Sequence, residues 1–170
     1  MKRGVIKTEE DINDALIKLS RELNVIFKGK QVEIVKMNSA PNLFAQDFSK
    51  LLEFDFNIQT LKFESYKNSS TQEVKITRDL TTPIEGKDLI ILDGIIISGK
   101  THDYISRVLE QRKPKSISIV CIGIKEESNK IPLPAIYSMF SFTKEWVEGY
   151  GIGDPKNSDN RFLIDVKDLS

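Results

Sequence analysis

Two long apolar runs near the middle of the chain constrain its fold more than any other feature. The first lies in "DLIILDGIIISGKT", residues 88–101, where Asp93 and Gly94 interrupt the aliphatic side chains, and the second is "SISIVCIGI", residues 116–124. Neither run alternates polar and apolar residues along its whole length, so both predict strands that are buried on two faces. A helical pattern at 101–113 separates them. Buried strands that alternate with helices predict an α/β fold with a central parallel sheet flanked by helices.

The segments before these runs predict a helix, a strand and a second helix. From Thr8, "TEEDINDALIKLSRELNVIF" repeats apolar residues at helical spacing behind a Thr8/Asp11 capping pair. "QVEIVKM" predicts a short strand, and "APNLFAQDFSKLLEF" predicts a helix that begins near Pro41. This second helix is expected to turn five apolar side chains inward: Leu43, Phe44, Phe48, Leu51 and Leu52.

Other segments predict a hairpin and a terminal group of short strands. "FNIQTLKFESY" and "EVKIT" are strand candidates, and the polar "KNSSTQ" between them predicts a mobile tip suited to a lid. The last third of the chain returns to short strands around Gly149, Gly151 and Gly153. The helix at 101–113 is expected to bury one face, made of Tyr104, Ile105, Val108 and Leu109.

Length, charge and cysteine content restrict the classes of protein that fit. The 170 residues suit one core, and we expect a single domain over 1–170. Twenty-five basic and twenty-five acidic residues cancel, which favours neither nucleic acid nor a membrane surface as partner and leaves a small ligand. Cys121 lies in an apolar run and is expected to be a buried, inert thiol in a cytoplasmic protein. Neither a signal peptide nor a membrane span is expected.

The sequence "ISGKT" that follows the first apolar run has the composition of an anion-binding loop. Ser98, Gly99, Lys100 and Thr101 would stand beyond the carboxyl end of a parallel strand and open a helix. Backbone N–H groups, the helix dipole and two hydroxyls would converge there on a phosphate. Alternatively, Gly99 makes only a tight turn and Lys100 is solvated. The loop is too short for a Walker A motif, so an ATPase is a weak interpretation.

The segment "DLIILDGIIISGKT" resembles the phosphoribosyl-pyrophosphate loop of type I phosphoribosyltransferases. Further segments resemble the hypoxanthine-guanine branch of that family in order and spacing: "FKGKQVEIV", "FESYKNSS", "IEGKDLIIL", "RKPKSISIVCI" and "EWVEGYGIGD". The resemblance spans nearly the whole chain. It implies the type I phosphoribosyltransferase fold with a hood and a flexible lid hairpin. It also implies purine salvage as the activity, Mg²⁺ as cofactor, and a homodimer or homotetramer.

The resemblance also implies roles for individual residues. The 5′-phosphate cradle corresponds to Ser98, Gly99 and Thr101, and Lys100 is compatible with it. Asp93 would meet the ribose hydroxyls, and Ser65 with Tyr66 would form the lid pair. Trp146 and Val147 would hold the base. Arg161 would contact pyrophosphate if the preceding loop is about two residues longer than in the family. The candidate Mg²⁺ ligands are Asp93 and Asp154.

At four places the sequence departs from the family pattern. Ile97 occupies the position of the acid that moves a proton at the purine, and Gly94 that of one of two adjacent acids. The positions of a short Leu-Lys-Gly loop that contacts pyrophosphate hold Asn38, Ser39 and Ala40. The lysine that reads the purine O6 corresponds to Pro134, which lacks a charge and a backbone donor.

Three assignments have simpler alternatives. Trp146 could be an ordinary core tryptophan, and Ser65 and Tyr66 could mark a strand end without a ligand. His102, the single histidine, is expected to face solvent or to cap the helix partially rather than act as a catalyst.

Two functions from different classes therefore stay open. The first is a purine phosphoribosyltransferase that binds phosphoribosyl pyrophosphate and a purine base, with canonical activity weakened. The second is a non-catalytic protein that binds or senses a nucleoside 5′-monophosphate. The four departures favour low or absent canonical turnover.

Overall fold

The computed structural model describes residues 4–67, 72–126 and 131–169. Four α-helices occur in this part of the chain: α1 (Glu9–Ile26), α2 (Asn42–Ser49), α3 (Lys100–Glu110) and α4 (Pro155–Ser158). Its strands are β1 (Val5–Lys7), β2 (Gln31–Met37), β3 (Asp55–Lys67), β4 (Gln72–Arg78), β5 (Asp88–Ile96), β6 (Ser116–Lys125), β7 (Ala135–Phe142), β8 (Val147–Glu148) and β9 (Leu163–Asp165). A 3₁₀ helix, Val166–Leu169, follows the last strand.

The main sheet has six strands in the order β4-β3-β2-β5-β6-β7. All neighbouring strands are parallel except β4, which pairs antiparallel with β3 at the edge. The two apolar runs identified above form β5 and β6 in the middle of this sheet, which confirms the predicted α/β fold. Parallel alignment brings the carboxyl ends of β2, β5, β6 and β7 to one edge, where ligands bind in folds of this type.

Each face of the main sheet packs against its own apolar cluster. On one face, residues of α1 and α2 pack with the strand residues Ile34, Ile90 and Val120. On the other face, Ile105 and Leu109 of α3 cover the sheet. Side chains of one strand alternate between the two clusters because successive residues point to opposite faces. This double burial explains why the strand sequences are apolar almost throughout.

The predicted beginnings of α1 and α2 are confirmed, but the predicted end of α2 is wrong. The Thr8 hydroxyl accepts a hydrogen bond from Asp11 N, and the Asp11 side chain accepts one from Thr8 N. Pro41 is the N-cap of α2. This helix ends at Ser49, because Leu51 N and Leu52 N donate to carbonyls only three residues back. Both leucines still pack against the core from the following turn.

The predicted hairpin and hood are present at the two ends of the fold. Strands β3 and β4 form the hairpin, and residues 68–71, at the expected lid tip, lie outside the described residues. A separate three-stranded sheet in the order β1-β9-β8 forms the hood. None of the helices in the described ranges has the length and apolar character needed to cross a lipid bilayer.

Candidate functional site

The loop between β5 and α3 lies at the carboxyl edge of the main sheet. Strand β5 continues through Gly94 to Ile96, so a short loop leads from it to α3. Gly99 is the N-cap of α3 with a φ of 76°, a left-handed conformation that glycine adopts without strain. Its carbonyl accepts from Asp103 N at 2.8 Å. The amino terminus of α3 therefore opens where the sequence predicted an anion site.

A cavity of about 500 Å³ lies over this loop. Ser98, Gly99, Lys100 and Thr101 line it together with Ser39, Phe63, Asp93, Ile95, Ile97 and His102. The backbone N–H groups and the dipole at a helix amino terminus favour an anion, and the hydroxyls of Ser98 and Thr101 can donate to its oxygens. The cavity has the chemistry needed to hold a phosphate.

Asp93 is buried in the floor of this cavity, and both of its carboxylate oxygens are hydrogen-bonded to neighbouring groups. The residue is only 3% exposed. One carboxylate oxygen, Oδ2, lies 2.6 Å from His102 Nε2. The other, Oδ1, accepts from Ser39 Oγ at 2.6 Å and from Gly94 N at 2.7 Å. The carboxylate is thus held by protein groups on both oxygens.

His102 does not face solvent or cap the helix, as the sequence predicted, but is 5% exposed. The buried face of α3 consists of His102, Ile105, Ser106 and Leu109, whereas Tyr104, which was expected on that face, is exposed. The spacing 102, 105, 106 and 109 is itself a helical stripe. That spacing is the sequence signal that could have placed His102 on the buried face of α3.

Gly94 allows a close approach by the loop that follows β2. A Cβ at residue 94 would lie 3.2 Å from both Pro41 Cδ and Ser39 O. A Cβ at Gly151 would lie closer still to Pro41, well inside the contact distance of two carbon atoms. Pro41 therefore fits between two glycines, one in β5 and one near the hood. The position that holds a second acid in the family pattern has here become a packing contact.

A second cavity, of about 540 Å³, adjoins the first one. Its lining includes Ile95, Ile97, Lys125, Trp146, Val147 and Gly153. Trp146 is 57% exposed, so it is not the core tryptophan that was the alternative interpretation, whereas Val147 is buried. Ile95 and Ile97 line both cavities, and Ile97 is 55% exposed. An exposed aliphatic residue stands on the wall that the two cavities share.

Pro134, which the resemblance places at the position of the lysine that reads the purine O6, does not line the cavity of Trp146. Pro134 lines a different cavity, beside Asp103 and Arg107 on α3. Lys125, at the end of β6, instead brings an ammonium group to the cavity of Trp146, where it donates to the Glu145 carbonyl. Sequence reasoning missed Lys125 because no motif singles it out; the signal available was its position at the carboxyl end of a central strand.

Three other predicted site residues lie apart from the two cavities. Arg161 Nη1 pairs with Asp47 Oδ2 at 2.7 Å, and the same oxygen accepts from Tyr150 at 2.8 Å. The guanidinium is thus paired with α2, and its assignment to pyrophosphate stays a prediction. Tyr66, exposed in β3 beside Ser65, donates to Glu64, and this bond raises the pKa of Tyr66.

The predicted metal ligands are not brought together. Asp154 is the exposed N-cap of α4 and accepts from Lys156 N at 2.8 Å, and it lines neither of the two cavities. Across the described residues, no group of three histidine, cysteine or acidic side chains is arranged to hold a metal ion. The two candidate Mg²⁺ ligands, Asp93 and Asp154, are therefore not placed in one cavity.

Comparison with known proteins agrees with the geometry. The family model described as the phosphoribosyl transferase domain matches residues 5–154. Hypoxanthine-guanine phosphoribosyltransferase of Staphylococcus aureus is 32% identical over 152 residues, 88% of this chain and 85% of that protein. Bifunctional protein TilS/HprT of Listeria innocua is 30% identical over 150 residues, and the match covers 87% of this chain but 23% of the Listeria protein.

Solved structures give the same relation. A hypoxanthine phosphoribosyltransferase from S. aureus superimposes with a TM-score of 0.88 at 28% identity, covering 95% of this chain and 89% of that chain. A hypoxanthine-guanine phosphoribosyltransferase from Bacillus anthracis, with a HEPES molecule in its active site, has a TM-score of 0.88 at 26% identity, covering 95% and 96%. The chain therefore belongs to the phosphoribosyl transferase family, type I, in its hypoxanthine-guanine branch.

Proposed function

We propose that this protein binds a purine nucleoside 5′-monophosphate, or phosphoribosyl pyrophosphate, across the two adjoining cavities. The observation that carries the proposal is the shared wall at Ile95 and Ile97, with an anion loop on one side and an exposed tryptophan on the other. A nucleotide has the same order of parts, a phosphate, a ribose and an aromatic base. The membership in the hypoxanthine-guanine branch supports a purine as that base.

The phosphate would bind at the amino terminus of α3. Ser98 to Thr101 would supply backbone N–H groups and two hydroxyls, and Lys100 would add a positive charge. A phosphate held in this way needs no side chain that accepts a proton. The phosphate-binding half of the site can therefore function although other family residues are replaced.

The purine would stack on Trp146 in the second cavity. Stacking of a base on an aromatic side chain contributes about 1–3 kcal/mol. Val147 would support the ring from the buried side, and Lys125 would place a cation near the polar edge of the base. Of the base-side groups, the ammonium group is the one suited to an oxo-purine such as hypoxanthine or guanine.

Transfer of the ribosyl group would be slow. Ile97 stands at the position of the family's proton-transfer acid, and its aliphatic side chain cannot move a proton. General acid–base assistance accounts for about 10²–10⁴ in rate, or about 3–5 kcal/mol of barrier. Asp93, the other acid in the cavity, is held on both oxygens and is not positioned to replace it.

A non-catalytic nucleotide-binding or sensing protein is the second candidate. The same two observations favour it, since Ile97 and the engaged Asp93 leave a phosphate cradle and a base pocket without a proton-transfer group. With either function, we propose that the protein is cytoplasmic and forms a homodimer or homotetramer. This proposal rests on the resemblance to the family.

Calorimetric titration with GMP, IMP and AMP, paired with a transferase assay on guanine and hypoxanthine, tests the proposal. We expect GMP or IMP to bind, and Trp146→Ala to weaken binding by about 1–3 kcal/mol. Tyr104→Ala, which removes an exposed aromatic side chain of α3 outside both cavities, is the matched control and should leave binding unchanged. Absence of nucleotide binding would contradict the site, and turnover near 1–10³ s⁻¹, ordinary for an enzyme, would contradict weakened catalysis.

A further inference from the structure

The groups around Asp93 are those of a hydrogen-bonded anion rather than of a metal ligand. A carboxylate coordinates Mg²⁺ through an oxygen directed at the ion, in octahedral geometry that tolerates little distortion. Asp93 Oδ1 already accepts two hydrogen bonds, and Oδ2 lies 2.6 Å from His102 Nε2. A metal could therefore reach Asp93 only at the remaining lone pair of Oδ2, which it would have to share with the His102 imidazole.

Neighbouring charges around Asp93 are positive. Lys100 lines the same cavity. Lys36, on the adjacent strand β2, has its pKa lowered by burial, and attraction to Asp93 partly offsets this effect. Mg²⁺ sites in nucleotide enzymes use one or two carboxylates together with phosphate oxygens. Among the described residues, Asp93 is the single acidic one that lines the cavity, and both of its oxygens are already hydrogen-bonded, so the lining offers a divalent cation no free carboxylate oxygen.

We propose that His102 takes the place of a divalent cation as the partner of Asp93, and that the site binds the phosphate of its ligand without metal. This inference rests on the proposed function, because it concerns the same cavity. His102 would act as a positioning residue. It holds Asp93 in a fixed rotamer at the ribose side of the cavity and contacts neither the phosphate nor the base.

The interaction does not depend on the charge state of the imidazole. A carboxylate only accepts hydrogen bonds, so Nε2 must carry the hydrogen, and both the neutral Nε2–H tautomer and the imidazolium satisfy this condition. Both side chains are buried, which excludes water that would compete for the bond. Ser39 adds the second fixed donor, so Asp93 is satisfied before any ligand binds.

The first arm of the test is NMR of the protein labelled at histidine. His102 is the single histidine of the chain, so its imidazole signals need no assignment. Mn²⁺ substitutes for Mg²⁺ and broadens signals of nuclei close to it. We expect stoichiometric Mn²⁺, added with and without GMP, to leave the His102 signals no broader than those of surface amides. Selective broadening of His102 would overturn the inference.

The second arm is calorimetric titration with GMP in EDTA and in millimolar MgCl₂. We expect the two dissociation constants of the unmodified protein to agree within about twofold. Binding in MgCl₂ that is lost in EDTA would overturn the inference. Failure of GMP to bind in both buffers, with His102 unaffected by Mn²⁺, would refute the proposed function while upholding the Asp93–His102 assignment.

Two variants separate the role of His102 from a structural effect. His102→Leu removes the donor and leaves Asp93 Oδ2 to accept a cation, so GMP affinity in EDTA should fall about tenfold and recover in MgCl₂. His102→Gln keeps an N–H donor and should keep metal-independent binding. Equal Mg²⁺ dependence in both variants would contradict the role of the donor. Should His102→Leu not fold, the measurements on the unmodified protein and on His102→Gln still decide.

Discussion

At the residue scale, Ile97 is the side chain whose replacement bears most directly on chemistry. It is exposed on the wall between the two cavities, where an acid would reach a bound purine. We expect Ile97→Asp to raise transferase turnover about tenfold, less than the roughly 10²–10⁴ of full acid–base assistance, because defects in one site do not add. Initial rates with guanine and phosphoribosyl pyrophosphate measure this effect.

The matched control for Ile97→Asp is Pro134→Lys. Pro134 lines a separate cavity, so a lysine there should leave turnover and GMP affinity unchanged. An increase in turnover with Pro134→Lys alone would show that the lysine reaches the purine, and a folded Ile97→Asp variant without any increase would identify the scaffold as one for binding only.

Cys121 gives a prediction about pH. It lies fully buried in β6, and burial raises the pKa of its thiol from the ordinary 9.0 to about 12. At pH 8 only about one thiol in 10⁴ would then be ionised. The pKa of this thiol is higher in the folded protein than in the unfolded one. The contribution of the protonated thiol to the free energy of unfolding is therefore complete below pH 9 and is lost as the pH rises towards 12.

Reaction with a thiol-specific disulfide reagent at pH 8 checks this prediction. We expect Cys121, the one cysteine, to stay unlabelled in the native protein and to react stoichiometrically in denaturant. Rapid labelling under native conditions would place the thiol at the surface and contradict its burial.

Single residues were predictable where their neighbours in sequence define the environment. Asp93, the anion loop and the burial of Cys121 follow from one strand-loop-helix segment and the strand after it. The Ser39 bond to Asp93 joins residues 54 positions apart, and the Lys125 position depends on which strand ends beside β5. Local patterns carry no information on such pairings, so the sequence could not reveal that Asp93 is already engaged.

At the scale of elements, the geometry of Gly99 decides how α3 begins. Its φ of 76° is strained for any residue with a Cβ, and most of all for a β-branched one. We expect Gly99→Val to lower the free energy of unfolding by about 1–3 kcal/mol and the GMP affinity about tenfold, because the N–H groups of the loop would shift. Denaturation and calorimetry measure the two effects separately.

Gly86→Val is the control for this change. Gly86 has a φ of 70°, the described part of the chain leaves open space where its Cβ would stand, and it precedes β5 at the opposite edge of the sheet. It should show a comparable loss of stability and an unchanged GMP affinity. Loss of GMP affinity in both variants would mean that general destabilisation, rather than the anion loop, causes the effect.

Most elements were predictable from periodicity, and the errors have a common cause. The end of α2 depends on hydrogen bonds made across turns, whereas the apolar spacing continues past it. The face of α3 was misjudged because aromatic and aliphatic residues were assigned inward while the histidine was assigned to solvent. Asp93, on the neighbouring strand, gives His102 a buried partner.

At the scale of the whole molecule, Pro41 packs between the main sheet and the segment that connects β8 with β9 in the hood. It packs between Gly94 of β5 and Gly151, where any Cβ would approach it closely. We expect Gly151→Ala to lower the free energy of unfolding by about 2–4 kcal/mol, through backbone strain at a φ of 87° and overpacking against Pro41.

Gly29→Ala isolates the strain from the packing effect. Gly29 has a φ of 71°, and none of the described residues brings an atom within 4 Å of the place that a Cβ would occupy. Only backbone strain should therefore act, and the loss should be about 1 kcal/mol. Urea denaturation of both variants compares the two. Equal losses would show that the contact between Pro41 and Gly151 adds nothing to stability.

The α/β fold could be predicted from the sequence, but the contacts between segments far apart in the chain could not. Buried strands alternating with helices identify the central sheet, the glycine-rich terminal segment predicts short strands, and the hood is implied by the resemblance to the family. The contact of residues 41 and 151 and the pair of Asp47 with Arg161 connect segments more than a hundred positions apart. Such contacts arise only when the chain has folded.

The close approach at Gly94 also limits what a substitution at this position can do. The Cβ of an aspartate there would stand 3.2 Å from both Ser39 O and Pro41 Cδ, so the loop that follows β2 would have to give way by a few tenths of an ångström. The tolerance of Gly94→Asp therefore depends on this loop as much as on the new carboxylate. A design that adds a second acid at residue 94 has to treat the strand and the loop as one unit.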